Sequence, residues 1–247
     1  GVGEALARMA GCTYIMTAAS RVTCAALNTG EKPAVPTAIL KYHNTEFARI
    51  VQNDAVDVHG GKAIMMGPKN FLARKYESLP ISITVEGANI LTRSLIIFGQ
   101  GAIRCHPFVL REIEAVADED AERGLETFDT LLFKHIGYAV SNAARSLIMG
   151  LTLSRFTNVP AHGWKRRYYQ RVNRYSASFA LVSDVSMLVL GGTLKRKELL
   201  SARLGDILSN LYLVSMVLKH YEDQGTPHAD RPVVEWACRH LFYRTQE

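Results

Sequence analysis

The sequence predicts an all-α protein, a helical bundle in two parts. Apolar residues recur at helical spacing over several long stretches, as in residues 2–28, and strand-like alternation is nearly absent. Helix-ending signals follow these stretches, for example Asn28 and Gly30 with Pro33 just behind them. With 48% hydrophobic residues in a chain of 247, there are enough apolar side chains to bury a substantial core.

The first part contains two long helices and several shorter pieces. Pro33 and Pro36 separate the two long helices, and the double glycine at 60–61 ends the second one. A stretch that begins at Pro80 leads to Glu86, and the motif GQG at 99–101 is expected to break the helix after it. The predicted helices are 2–28, 37–58, a short one near 71–76, and 88–98.

The second part begins with an acidic segment, residues 112–126. The predicted helices behind it are 128–156, 165–190, 197–221 and 233–242. Because the composition turns acidic between Gly101 and Leu125, we place the boundary there and expect two domains, 1–106 and 107–247.

Composition excludes several classes of protein. The net charge is +6, distributed as +4 over 1–107, −3 over 108–160 and +5 over 161–247, which is too mild to indicate nucleic-acid binding. The four cysteines are widely spaced, so reduced thiols and a cytoplasmic location are expected. No histidine has metal-ligand spacing, so no metal is predicted. The longest apolar run, 177–194, contains Asp184 and several serines, and a buried helix is expected there.

Glu86 is the first candidate functional residue. It stands in ITVEGANILTRS, residues 83–94, between a β-branched run and the glycine Gly87 that opens a helix. One interpretation is an acid that complements the dipole of the following helix. The other is a carboxylate in an apolar pocket formed by Ile83, Val85 and their neighbours, where poor solvation makes it a better general base. Spacing alone leaves both open.

The double glycine in DVHGGKA, residues 57–63, is the second candidate. Paired glycines let a backbone approach a phosphate or a flat ring closely, with the amides as donors. A plain helix end explains one glycine equally well. The pattern is not GxGxxG and no strand precedes it, so a Rossmann-type nucleotide site is not expected.

Together, these stretches resemble the carboxyl-terminal helical domain of the acyl-CoA dehydrogenases. The resemblance rests on AVDVHGGKAI (55–64), then Arg74, then ITVEGANILTRSLIIFGQG (83–101), and extends upstream to TAILKY (37–42) with Lys41. It covers residues 1 to about 106. The rest of the chain is similar to the additional helical region of the large bacterial, long-chain enzymes of this family.

The resemblance implies roles for individual residues. Glu86 matches the base that removes the α-proton of a fatty acyl-CoA, and Gly87 matches the glycine that lets the thioester lie against a flavin. Gly60 and Gly61 match the double glycine that approaches the FAD diphosphate of a neighbouring subunit. Two cofactor-contact positions depart from the family pattern: Ala88 stands where a threonine is common and Asp57 where a glutamine is common.

The resemblance also implies what lies around this chain. The family's amino-terminal helical domain and middle β-barrel domain are not in these residues, so the chain matches the last third or so of a longer enzyme and should be inactive by itself. The implied partners are a homo-oligomer and an electron-transfer flavoprotein, and the implied reaction forms trans-2-enoyl-CoA in fatty-acid β-oxidation.

A basic and aromatic stretch, HGWKRRYYQRVNRY (162–175), has two interpretations. Alternating cations and aromatic rings suit the surface of an anionic membrane, which would place the protein at the inner membrane. Alternatively, the stretch is a solvated helix face that pairs with the acidic segment 112–126. A rival for the whole chain is a non-catalytic helical module for assembly or membrane docking that has lost the flavin, a possibility that Ala88 and Asp57 favour.

Overall fold

The computed structural model describes residues 1–247, and every regular element in it is helical. The all-α prediction is therefore confirmed. The long α-helices and their short connecting helices are, in chain order, α1 Val2–Asn28, α2 Ala34–His59, a 3-10 turn Gly60–Ala63, α3 Leu72–Thr84, α4 Asn89–Leu91, a π-helical segment Thr92–Gln100, α5 Gly101–Cys105, α6 Val109–Val116, α7 Ala121–Leu151, a 3-10 turn Gly163–Lys165, α8 Arg166–Leu190, a 3-10 turn Gly191–Arg196, α9 Glu198–Asp223, a 3-10 turn His228–Asp230 and α10 Arg231–Gln246.

The chain divides into two compact units. The first contains Gly1–Arg93 together with Tyr212–Glu247, and the second contains Ser94–Leu211. The end of the chain thus belongs to the same unit as its beginning. The domain boundary predicted between Gly101 and Leu125 rests on a change in composition and stays a prediction. The two compact units instead meet along the chain at residues 93–94 and 211–212.

In the first unit, α1 packs against α2 and α10. Their buried faces are apolar, with Ile15, Ile39, Phe47 and Leu241 all nearly inaccessible. Burying each such side chain contributes about 1.5–3 kcal/mol, and this exceeds what helix propensity alone provides. Gly11 on α1 permits the closest approach, because a Cβ there would lie 1.9 Å from the ring of Trp236.

Helices α2 and α3 form an antiparallel hairpin in the same unit. Near the end of α2, the Gln52 amide donates to the carbonyl of Leu72 at the start of α3, at 3.0 Å. Near the start of α2, Lys41 donates to the carbonyl of Gly87, which follows α3. The segment after α3 therefore lies beside the first half of α2.

Three local predictions in the first part were wrong. Helix α2 begins at Ala34 rather than at residue 37, because proline is tolerated in the first turn of a helix. Pro80 lies inside α3 instead of starting a new stretch, since Leu72 and Leu79 on this helix are buried and their burial offsets the lost backbone hydrogen bond.

The motif GQG does not break its helix. Helical structure continues from Asn89 to Cys105, with the π-helical segment at its centre. A Cβ on Gly99 would lie 3.2 Å from the hydroxyl of Ser201, and Gly101 is buried. These glycines therefore permit close packing. From local sequence alone, a glycine needed for packing cannot be distinguished from one that ends a helix.

The second unit contains α6, α7 and α8, which pack in sequence. Asp120 caps the start of helix α7, because its carboxylate accepts from the amides of Glu122 and Arg123. It starts and ends earlier than the predicted 128–156, and the backbone leaves the helical region at Leu153 and Ser154, which both have positive φ.

Much of the apolar surface of α7 and α8 is exposed. Leu151 is 79% exposed, Leu188 85% and Val189 72%. The expectation of a buried helix over 177–194 was therefore wrong: the helical stretch Gly163–Arg196 contains a window long and apolar enough to cross a membrane, and only 17% of that window is buried. Length and composition by themselves are weak support for a membrane span.

Candidate active site

Glu86 and Gly87 form a turn between α3 and α4. Both have positive φ, 53° for Glu86 and 92° for Gly87. Glycine adopts this region freely, but in a residue with a Cβ it costs about 1–2 kcal/mol. Strain of this kind persists only where neighbouring contacts hold the backbone, and such positions are frequent at functional sites.

Lys41 and Asn89 hold this turn. The Lys41 ammonium donates to the Gly87 carbonyl at 2.6 Å and to the Asn89 side-chain oxygen at 2.6 Å. The Asn89 amide donates in turn to the Thr45 hydroxyl at 2.9 Å and to the Glu46 carboxylate at 2.6 Å. Asn89 is buried, so these bonds act in a setting of low dielectric, where they are strong.

Sequence reasoning did not find Asn89, Thr45 or Glu46, and it quoted Lys41 only as part of a motif. The two bonds from Lys41 connect residues 46 and 48 positions apart. No local spacing indicates such a contact. The only available signal was the polar pair at 41 and 45, which lies on one face of α2 with Glu46 next to it in sequence.

Glu86 itself is exposed within this chain. The apolar pocket suggested for it is not formed by its own neighbours, because Ile90 is 81% exposed and Val85 47%. The helix-dipole interpretation also stays untested: α4 begins at Asn89 with Ala88 as its N-cap, so Glu86 lies two residues before the cap. What the chain presents is a free carboxylate at a strained turn, flanked by exposed apolar side chains.

The double glycine ends α2 as predicted. Gly60 has φ 59° and caps the helix, and a Cβ on either Gly60 or Gly61 would meet nothing within 4 Å. Neither glycine is therefore required by packing within this chain. Asp57 is exposed one turn earlier on α2, and Ala88 is exposed beside Gly87.

The structure does not bring the two motifs together. Lys41, beside Gly87, and Gly60 are separated along α2 by about 28 Å at 1.5 Å per residue. The Glu86 turn and the double glycine therefore lie at opposite ends of the α2–α3 hairpin. They cannot share the reacting end of one small ligand.

An apolar cavity of about 420 Å³ lies next to the double glycine. Met65, Met66 and Phe71 line it and are each more than half exposed. Asn70 shapes the loop, because its side-chain amide donates to the carbonyls of Ala63 and Met65 and its oxygen accepts from the amide of Leu72. This end of the hairpin is a formed, concave and largely apolar surface.

The double glycine fits an approaching cofactor, and the neighbouring Asp57 fits it less well. The open space at Gly60 and Gly61 leaves their backbone accessible to a phosphate. Ala88, beside Gly87 at the other end of the hairpin, offers no polar side-chain atom. Next to the double glycine, Asp57 offers a carboxylate rather than a hydrogen-bond donor. Any anion bound here would therefore be held mainly by backbone amides.

The basic stretch 162–175 forms the start of α8. Partial burial lowers the pKa of the Arg167 guanidinium, and the like charges of Arg171, Arg155 and Arg174 lower it further. In the acidic segment 112–126, two carboxylates contact groups outside the basic stretch: Glu112 accepts from His135, and Asp118 forms an ion pair with Arg123.

The chain is all helical and carries one carboxylate at a strained Glu-Gly turn. Known families match both of its halves. Residues 1–98 match the family described as acyl-CoA dehydrogenase, C-terminal domain. Residues 103–247 match the family described as acyl-CoA dehydrogenase, C-terminal, bacterial type. The chain therefore belongs to the acyl-CoA dehydrogenase family, as its carboxyl-terminal part, and the resemblance seen in the sequence is confirmed.

Proposed function

We propose that this chain is the carboxyl-terminal part of an FAD-dependent enzyme that converts fatty acyl-CoA to trans-2-enoyl-CoA in fatty-acid β-oxidation. The observation that supports this most directly is the Glu86 carboxylate, free on a strained turn that buried and half-buried polar groups hold in place. The family to which the chain belongs supplies the oxidoreductase class.

In this proposal Glu86 removes the α-proton of the thioester and holds it on a carboxylate oxygen. Gly87 has no side chain, so a flat group can lie against the turn beside the carboxylate. Bound FAD supplies the acceptor for the hydride that leaves the β-carbon. The exposed apolar residues around the turn, Ile90 above all, contribute to enclosing the substrate once the rest of the enzyme covers them.

The distance between the two ends of the α2–α3 hairpin supports the proposal of an oligomer. Lys41 lies beside the Glu86 turn, and the double glycine lies about 28 Å from Lys41 along α2. The double glycine therefore cannot contact a flavin ring that lies at the Glu86 turn of the same chain. We propose that it contacts the FAD of a neighbouring copy, so the active assembly is a homo-oligomer. Gly60, Gly61 and Asp57 are the proposed contacts with that FAD, and Ala88 is the proposed contact with the FAD at its own Glu86 turn.

The test is Glu86→Gln in the protein that carries this chain, with Glu77→Gln as the matched control because Glu77 is exposed on the neighbouring helix α3. Loss of a general base should lower the rate of enoyl-CoA formation at least about 10²-fold. The control variant should retain the wild-type rate. Equal rates in all three proteins would refute the role of Glu86.

We further propose that the electrons pass to an electron-transfer flavoprotein and that the enzyme works in the cytoplasm at the inner membrane. Reduction of a purified electron-transfer flavoprotein by acyl-CoA, dependent on this enzyme, tests the partner. An enzyme that turns over only with oxygen or a quinone would contradict it.

A second candidate function is a non-catalytic module that docks on a membrane or assembles with other proteins. The observation that favours it is the exposed apolar surface of α7 and α8, with Leu188 85% exposed, behind the basic start of α8. Pelleting with anionic and with neutral vesicles, for the wild type and for Arg166→Glu, tests it. Binding to anionic vesicles that the variant weakens supports a membrane role, and equal pelleting with both vesicle types excludes a charge-dependent one.

A further inference from the structure

A cluster of four titratable side chains lies inside the second unit, away from Glu86. His106 follows α5, His135 is on α7, Asp184 is on α8 and Glu112 is on α6. Single candidate ligand atoms of His106, His135 and Asp184 all lie within 4.8 Å of one another. The sequence predicted no metal site because these residues are far apart along the chain; the fold brings them together.

The distances suit one tetrahedral ion. His106 Nε2 lies 2.8 Å from Asp184 Oδ1, and His135 Nε2 lies 3.5 Å from the same oxygen. Zinc bound to nitrogen and oxygen at about 2.0–2.1 Å places its ligand atoms about 3.3 Å apart. The two observed separations lie on either side of this value, so small rotations of the side chains would form the site.

The surroundings of His135 are those of a metal ligand. Its Nδ1 lies 2.8 Å from Glu112 Oε1, and when that nitrogen carries the proton, the lone pair of Nε2 points toward the Asp184 carboxylate. Two electron-rich atoms face each other there and need a cation between them. A carboxylate behind a ligating histidine is also the arrangement that orients such ligands in metal proteins.

Asp184 provides an independent observation. Its side chain is only 9% exposed, and its second oxygen, Oδ2, is buried without a hydrogen-bond partner. An unpartnered buried carboxylate oxygen is costly. A divalent cation held by both oxygens of Asp184 would satisfy Oδ2. It would also balance the charge of the two carboxylates, Asp184 and Glu112, which are mostly buried.

His106 sets a condition on binding. Its Nδ1 lies 3.3 and 3.2 Å from the amide nitrogens of Phe108 and Val109, which place the proton on Nε2 in the metal-free protein. Metal binding at Nε2 requires the proton to move to Nδ1. Nδ1 then no longer accepts the two long hydrogen bonds from these amides. His135 and Asp184 are therefore the anchoring ligands, with His106 as the third.

We propose that His106, His135 and Asp184 bind one first-row divalent ion of the zinc class, with Glu112 orienting His135. His106 also lines a cavity of about 250 Å³, together with Tyr138 and Ser183. Phe108 stacks on His135 at 5.3 Å. The ion joins the ends of α5 and α6 to α7 and α8.

The experiment titrates the EDTA-treated chain with Co²⁺ and, separately, with Zn²⁺. We expect one equivalent of Co²⁺ to produce absorption bands of a tetrahedral nitrogen–oxygen site, and Zn²⁺ to displace it and raise the melting temperature. Asp184→Asn, which keeps the shape of the side chain, should abolish the bands. Glu112→Gln should weaken affinity about 10–100-fold.

Two control variants separate this site from others. His162 is exposed in the same unit, so His162→Ala should bind as the wild type does. Cys105 is exposed next to His106, so Cys105→Ala should also leave binding unchanged. The proposal is overturned if the wild type binds neither ion, if Asp184→Asn binds equally well with native circular dichroism, or if Cys105→Ala removes the bands.

Discussion

The ammonium of Lys41 lies 2.6 Å from the carbonyl oxygen of Gly87 and equally close to the side-chain oxygen of Asn89. Through these two bonds, the first half of α2 fixes the backbone on the carboxyl side of Glu86. A strained turn would otherwise relax, because nothing in its own sequence favours positive φ at a glutamate. Lys41 is thus a positioning residue for the proposed base.

Replacing Lys41 by methionine should uncouple the turn from α2. Hydrogen bonds to a charged group contribute about 1.5–3 kcal/mol each, so we expect a less stable turn and a measurable fall in thermal stability. Because Glu86 then samples other orientations, kcat in the protein that carries this chain should fall more than KM rises. Steady-state kinetics with a fatty acyl-CoA measure both.

Lys75→Met is the matched control for that change, since Lys75 is exposed on α3. It should alter neither kcat nor stability. Equal kinetic behaviour of the two variants would show that the Lys41 bonds do not position Glu86.

The positive φ of Glu86 predicts that its glycine and alanine variants differ in stability. Glycine relieves the strain that any residue with a Cβ feels there, so Glu86→Gly should be more stable than Glu86→Ala by about 1 kcal/mol. Both variants lack the carboxylate and should be equally inactive. Urea denaturation of the pair checks the difference, and an alanine variant as stable as the glycine variant would mean that the turn is unstrained.

Gly61→Ala tests cofactor approach without disturbing the fold. Gly61 does not have positive φ, and an added Cβ meets nothing in its own chain, so stability should be unchanged. If a neighbour's FAD lies against this backbone, the methyl group should reduce the FAD content of the purified assembly. Gly192→Ala, also in open space, is the control. Full FAD occupancy in Gly61→Ala would contradict the proposed contact.

His43 should make stability fall in acid. Burial lowers its pKa to about 3, with repulsion from Arg244 and Arg93 as smaller causes. Between pH 6.5 and about 3, the unfolded chain therefore binds a proton that the native state does not, and stability decreases as the pH falls, by up to about 1.4 kcal/mol per pH unit.

The variant His43→Leu should flatten this dependence. The ring nitrogen Nε2 of His43 has no hydrogen-bond partner, so an apolar residue of similar size removes no bond at that atom. Urea denaturation of both proteins at several pH values from 7.5 to 4.5 gives the slopes. Identical slopes would mean that other groups carry the acid sensitivity.

Gly11 should be intolerant of alanine. The added Cβ would lie 1.9 Å from the Trp236 ring, which stacks on His240 at 4.8 Å and has little freedom to move. We expect a loss of about 1–3 kcal/mol from overpacking. Gly137, inside α7 with open space around it, is the control, and alanine there should add about 0.5–1 kcal/mol. A stable Gly11→Ala variant would contradict the packing of α1 on α10.

Periodicity predicted the long helices well, because burial of one apolar face decides their existence. Helix α1 was predicted with its observed bounds, and α8 and α9 to within two residues. Pro80 and the glycines of GQG misled the prediction, since both are local breakers whose effect the tertiary packing overrides. The exposed apolar surface of α8 was missed for a related reason: composition does not say which neighbour, if any, covers a helix.

The candidate site was predictable in part. The Glu-Gly pair and the double glycine stand out in the sequence. The family match over residues 1–98 supports the resemblance to the acyl-CoA dehydrogenases from which their roles were predicted. The Lys41 bonds, the Asn89 network and the cluster of His106, His135 and Asp184 were not predictable, because each depends on contacts between helices distant along the chain.

The most direct test of the proposed function follows the flavin spectrum of the protein that carries this chain when palmitoyl-CoA is added without oxygen. We predict that the wild-type flavin band bleaches, and that Glu86→Gln, with the same FAD content, does not bleach. A wild-type protein purified without flavin, or a Glu86→Gln variant that bleaches as fast as the wild type, would contradict the account.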